Sequence, residues 1–267
     1  MKDNKVWVAG LFYFVFIPFL LVFIYLMSSG LEDVLPLQTF SPTLLSVIGA
    51  HYFHLDFYHL LSNLIFYLVF IIVIFWFDVL TNRRMLFVNM LLLFVFLPIF
   101  CSLVDIAAFS GKSFVGYGFS AVAAGLFGYL TFSFLHFLRD YYKMEFKNDI
   151  MAILWLIFFV NLFLISTTYA YFYIAVCLAV LILVWAYRIR FDILKIFDVL
   201  RSKDRVKRTV TMGVLTFCLF VGVTLLFPET IRYNDSIIDI LAHYTGYSFG
   251  IIVPAMVSTY LVERGER

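Results

Sequence analysis

Three groups of residues in this 267-residue chain have the types and spacing for one kind of chemistry, nucleophilic attack on an acyl carbon. The first is Gly116-Tyr117-Gly118-Phe119-Ser120-Ala121, which opens a small-residue apolar stretch from Val122 to Phe137. Two glycines allow a tight turn, and the serine then falls in the first turn of a helix. Backbone N–H groups there lack partners and stand at the positive end of the helix dipole. A hydroxyl so placed lies beside donors that can hold a developing oxyanion. A serine without a neighbouring base is a weak nucleophile. Taken alone, Gly-x-Ser therefore reads better as a glycine-softened loop entering a packed helix.

The second group is His54, His59 and Asn63. His59 and Asn63 are four residues apart at the start of a helix and share a face, with His54 just ahead in the loop. Polar groups at membrane depth are costly and usually face a bundle interior or a water-filled cavity. The alternative is that the three satisfy one another and the irregular backbone of the loop. The third group surrounds His243. Ala242, Gly246 and Gly250 recur every four residues, a stripe that lets two helices approach closely. Ala121 with Gly125, and Ala124 with Gly128, give the serine helix the same spacing. Packing of the two stripes would bring the His243 imidazole within hydrogen-bond reach of the Ser120 hydroxyl.

The elements that must position these groups are membrane helices. The chain is 64% hydrophobic and 13% charged, far more apolar than a soluble domain. A net charge of +2 gives no case for nucleic acid or for an acidic partner. The three cysteines, Cys101, Cys177 and Cys218, lie singly in apolar runs and read as small hydrophobes. Eight runs approach the length of a crossing: 7–27, 59–77, 85–104, 119–138, 151–167, 171–187, 209–227 and 237–262. The first is too long for the apolar core of a signal peptide and reads as retained.

Runs 151–167 and 171–187 are short, and they form either a tight hairpin or one broken segment. Charge decides between them, because Lys and Arg collect in cytoplasmic loops. With eight crossings and the N-terminus inside, 17 of the 19 basic residues are cytoplasmic, including eight between Arg188 and Arg208. Merging the two runs would put that block outside. The expected architecture is an all-α polytopic bundle of about eight transmembrane helices in one domain, both termini cytoplasmic. That topology places the 28–58 loop, the loop before Ser120 and the start of the last helix on one extracytoplasmic face. Residues 188–208 also read as an interfacial amphipathic segment and a topology anchor.

Taken in order, His-x4-His-x3-Asn on the second helix, Gly-x-Ser before the fourth and Ala-His-x2-Gly-x3-Gly on the last resemble the rhomboid family of intramembrane serine proteases. The resemblance covers about 40–265 with one large insertion, and the first helix fits by position only. It implies a Ser120 nucleophile and a His243 general base. It implies an oxyanion site from His59, Asn63 and the Ser120 N–H, shaped by Gly118, with His54 holding the outer loop. The substrates would be transmembrane proteins in the lipid bilayer, cut where their helices unwind, and no metal or cofactor is implied. Some features depart from the family. Ala121 stands where glycine is frequent, and Ala124 where bacterial members often stack an aromatic on the histidine, a role left to Tyr244 or Tyr247. A Trp-Arg pair is missing from the outer loop, and three helices separate serine from histidine where the core family has one. Two extra crossings preserve parity, so Ser120 and His243 face the same side. The alternative within the resemblance is a catalytically inactive relative that binds membrane-protein clients. A transporter would call for internal repeats and interrupted helices, which the sequence does not show.

Overall fold

In the computed structural model, residues 2–112, 114–168, 171–226, 232–233, 236–237 and 240–265 are described. Helices dominate: α1 (Asn4–Leu26), α2 (Leu44–Gly49), α3 (Phe57–Thr81), α4 (Arg83–Ala108), α5 (Ser120–Asp140), α6 (Ile150–Thr168), α7 (Phe172–Arg188), α8 (Arg190–Leu200), α9 (Arg205–Leu226) and α10 (Ile240–Gly265). The expected apolar runs fall on these helices to within a residue at either end, except that Ile237 lies in a short strand, Ser236–Ile237; residue 227 and residues 238–239 lie outside the described residues. Among the described residues, α1, α3, α4, α5, α6 and α10 are long and apolar enough to cross a membrane. α7 and α8 meet that test only as a pair, bent by 73° at their junction. The protein is an all-α polytopic membrane protein.

Two compact units divide the chain, Met1–Ser133 with Ile231–Arg267, and Phe134–Thr230. The boundary falls inside α5. That helix is the most enclosed of the six: 94% of its apolar window is buried, against 22–56% in the other five. Its small residues explain this, since a helix lined by alanine and glycine presents little bulk to its neighbours.

In the first unit, proline shapes α1 and α4. Each contains a π-helical turn, Phe12–Phe16 and Leu92–Phe96, just ahead of Pro18 and Pro98. Proline has no N–H and its ring crowds the preceding turn, so the helix widens there. Carbonyls left over by this change need new donors at membrane depth. The Ile17 N–H bonds to Phe12 O and Pro18 offers none, so the Tyr13 carbonyl accepts from the Tyr67 hydroxyl at 2.6 Å. The Phe94 carbonyl, whose α-helical partner would be the missing N–H of Pro98, accepts from the Tyr52 hydroxyl. Tyrosines thus tie α3 to α1 and the outer loop to α4.

A second tie is polar. Asp78 of α3 is buried and accepts from Tyr129 and Ser133 of α5, both at 2.8 Å, and from Asn89 of α4 at 3.4 Å. Three hydrogen bonds leave this carboxyl group well solvated by protein in place of water.

The loop between α1 and α3 is ordered by local capping and by one short strand pair. Thr43 caps α2 in a reciprocal box with Ser46, and Asp56 caps α3 by accepting the His59 N–H at 2.8 Å. Strand β1 (Leu37–Gln38) pairs antiparallel with β2 (Val115–Gly116), Leu37 opposite Gly116. The sequence reading contains no strand here. The pairing binds the outer loop to the segment that leads into Ser120.

In the second unit, α6 and α7 pack as a hairpin. The buried Asp192 of α8 accepts from the backbone N–H groups of Lys147 and Asn148 and from Asn148 Nδ2, the last at 2.9 Å. This fastens the α5–α6 connection to α8.

Candidate functional site

The site is built within the first unit, where the loop before α3 and the loop before α5 are placed by the contacts above and the start of α10 lies against α5. Its hub is His54, which is fully buried. His54 Nε2 accepts from Asn63 Nδ2 at 2.9 Å and from the Phe119 backbone N–H at 3.3 Å. A backbone N–H is only ever a donor, so Nε2 is unprotonated and the ring proton sits on Nδ1. Nδ1 accordingly donates to the Tyr52 carbonyl at 3.3 Å. One imidazole therefore joins the outer loop, the first turns of α3 and the residue before Ser120. Burial holds this imidazole far below its usual range, at about 3, with neighbouring His59 acting in the same direction and the Tyr52 carbonyl opposing.

Gly118 sits between His59 and the outer loop. Its φ is +113°, a left-handed conformation that favours glycine, and its N–H bonds to the Ala50 carbonyl at 2.9 Å. A methyl group on Gly118 would lie 2.7 Å from His59 Cε1 and 3.1 Å from Nε2. The His59 ring thus lies directly against the Gly118 backbone, and it meets the His54 ring edge-on at 5.0 Å between centroids.

α5 and α10 approach backbone to backbone. A methyl group on Gly246 would collide with the Ala121 carbonyl, one on Gly250 with the Gly125 carbonyl, and one on Gly128 with the Tyr247 carbonyl. A methyl on Gly125 would stand 3.2 Å from the Gly246 carbonyl. Ser120, the first residue of α5, and the buried His243, three residues ahead of Gly246, flank this contact from opposite helices. Tyr247 is buried and packs its ring on Phe127 at 5.4 Å, in the α5–α10 seam.

Two site neighbours escape a sequence reading. His51, buried in the outer loop, pairs through Nε2 with Ser102 Oγ of α4 at 3.2 Å, while Ser102 donates to the Val47 carbonyl at 2.8 Å. Burial lowers the His51 pKa to about 4, with the carbonyls of Gly118 and Pro98 opposing. Tyr52 is the other, through its bond to Phe94. Neither carries a spacing signal, because their partners lie more than forty residues away.

Fold and composition place the chain among polytopic α-helical membrane proteins. Compared with family models, with characterised proteins and with solved structures, it matches none. Among the described residues no group of three or more His, Cys, Asp or Glu is arranged to hold a metal ion.

Proposed function

We propose that the chain is a serine endopeptidase that hydrolyses peptide bonds in or near transmembrane segments of membrane-protein substrates. Ser120 attacks the carbonyl carbon and His243 takes the hydroxyl proton. The acyl-enzyme forms as the leaving amine takes that proton back, and water then releases the acid. His59, Asn63 and the Ser120 N–H stabilise the oxyanion. The observation that carries this reading is the α5–α10 approach through Ala121, Gly125, Gly246 and Gly250, which sets Ser120 and His243 at the flanks of one tight helix contact. The gathering of His54, His59, Asn63 and Gly118 around the residue that precedes Ser120 supports it. The rhomboid-like motifs and the basic-residue distribution extend the proposal to eight crossings, cytoplasmic termini and a site open to the extracytoplasmic side.

The hydrogen bonds gathered on His54 are equally those that a rhomboid-like protein binding membrane clients without cutting them would keep, which gives a second reading. Incubation of purified protein with a fluorophosphonate probe separates the two. Labelling of the parent, absent in Ser120→Ala and strongly reduced in His243→Ala, is the expected result. A folded parent that takes no label and releases no product from transmembrane substrates, yet retains them, selects client binding.

A further inference from the structure

The second unit carries a helix with two unlike faces directly after a sharp bend. α7 is apolar along its length and closes on Trp185, Tyr187 and Arg188. The Arg188 guanidinium lies 5.6 Å from the Trp185 ring, and that of Arg190 lies 4.1 Å from the Tyr187 ring. Trp, Tyr and Arg are the residues that settle where hydrocarbon meets headgroups. α8 leaves this point at 73° to α7. With α7 as one of the eight crossings proposed above, a helix that leaves it at this angle runs near the plane of the boundary.

The two faces of α8 fit that course. The inner face is fastened by Asp192, 0% exposed, and by Val199, 4% exposed. The outer face presents Phe191, Leu194 and Phe197 at 46%, 57% and 53% exposure. Their spacing of three residues makes one stripe along the helix. Charge is one-sided as well: from Arg188 to Arg208 there are eight basic residues and three acidic ones. Of the three acids, Asp192 is spent on backbone N–H groups.

We propose that α8 is seated in the boundary of an anionic phospholipid leaflet. Phe191, Leu194 and Phe197 enter the upper acyl region, and Arg188, Arg190 and Arg201 hold lipid phosphates. Apolar burial supplies the attachment, and the basic residues select the leaflet. A zwitterionic leaflet also carries phosphates but has no net negative surface potential to draw the cations to it. A protein partner would meet a stripe of only three large apolar side chains.

Site-directed spin labelling of the full chain in nanodiscs tests this. Single cysteines replace Phe191, Leu194, Phe197 and, as the water-side control, Lys203, after removal of Cys101, Cys177 and Cys218. Labels at 191, 194 and 197 are expected to be relaxed more by oxygen than by a water-soluble nickel chelate, and label 203 the reverse. The depth should increase when phosphatidylglycerol is mixed into phosphatidylcholine. In native mass spectrometry, the combined Arg188→Gln, Arg190→Gln and Arg201→Gln variant should retain phosphatidylglycerol on the order of 10²-fold less tightly, about fivefold per cation removed, with a much smaller change for phosphatidylcholine. Nickel-dominated relaxation at all three positions overturns the proposal. So does immobilisation with neither probe admitted, which indicates a second copy or another protein on this face. Unchanged phosphatidylglycerol retention in the triple variant overturns the assignment to an anionic leaflet.

Discussion

Asn63 donates to His54 at 2.9 Å across the junction of the outer loop and α3. This one bond commits half of the Asn63 amide's donors and leaves a second N–H to serve another acceptor. Removing the imidazole strands the Asn63 amide and the Phe119 N–H in a buried site, and a stranded buried donor costs about 1–3 kcal/mol. His54→Ala is therefore expected to lower thermal stability in detergent by a cost of that order. His54→Gln, whose carbonyl accepts, should recover part of the loss. Equal stability of both variants and the parent would remove His54 from its place as hub.

Acid should act through the same group. Burial holds His54 at about 3 and His51 at about 4 in the folded chain, whereas an unfolded histidine titrates near pH 6.5. Above pH 6.5 both states are neutral and the contribution is whole. As pH falls below that value, the unfolded chain binds protons that the folded chain refuses, and stability declines until pH nears 3–4. Unfolding midpoints measured from pH 8 to pH 4 should drop below pH 6.5 in the parent and drop less in His54→Gln. A profile identical in parent and variant contradicts the assignment to His54.

At Gly250 the α5–α10 seam has no room for a side chain. Gly250→Ala forces a methyl into the Gly125 carbonyl, and overpacking of this kind costs about 1–3 kcal/mol. Gly213 of α9 has nothing within 4 Å of its missing methyl, so Gly213→Ala should be neutral or stabilising by up to about 1 kcal/mol. Thermal unfolding of the two variants beside the parent checks the contrast. Equal effects would mean that the seam yields more readily than its geometry implies.

Roles around the proposed oxyanion separate kinetically. His243→Ala removes the base and should suppress both turnover and probe labelling. His59→Ala or Asn63→Ala removes one donor and should slow turnover roughly 10²–10³-fold while leaving measurable catalysis. Single-turnover rates at saturating substrate, with folding checked alongside, decide the matter. Higher residual activity in His243→Ala than in His59→Ala would reverse the assigned roles, and parent-like rates in all three would make the constellation structural.

The sequence by itself determined what is local or periodic. Apolar length marked six of the eight expected runs as helices long and apolar enough to cross a membrane, to within a few residues, because a crossing requires an unbroken run whatever its neighbours are. The four-residue repeat of Gly246 and Gly250, matched by Ala121 and Gly125, marked the faces that meet, because helical period converts spacing into a stripe. Tertiary structure alone decided which polar groups meet across long stretches of chain. His54 reads as a loop histidine until Phe119, 65 residues on, donates to it. Tyr52 and Asp78 carry no pattern at all; one answers a carbonyl released by Pro98, and the other gathers hydroxyls from α5. The strand pair between Leu37–Gln38 and Val115–Gly116 is too short to leave an alternation in the sequence. The 73° turn at the start of α8 and the two-unit division follow from packing that no window of sequence contains. His54, Tyr52 and Asp78 are buried polar groups whose partners lie far along the chain, and only the folded chain brings those partners to them.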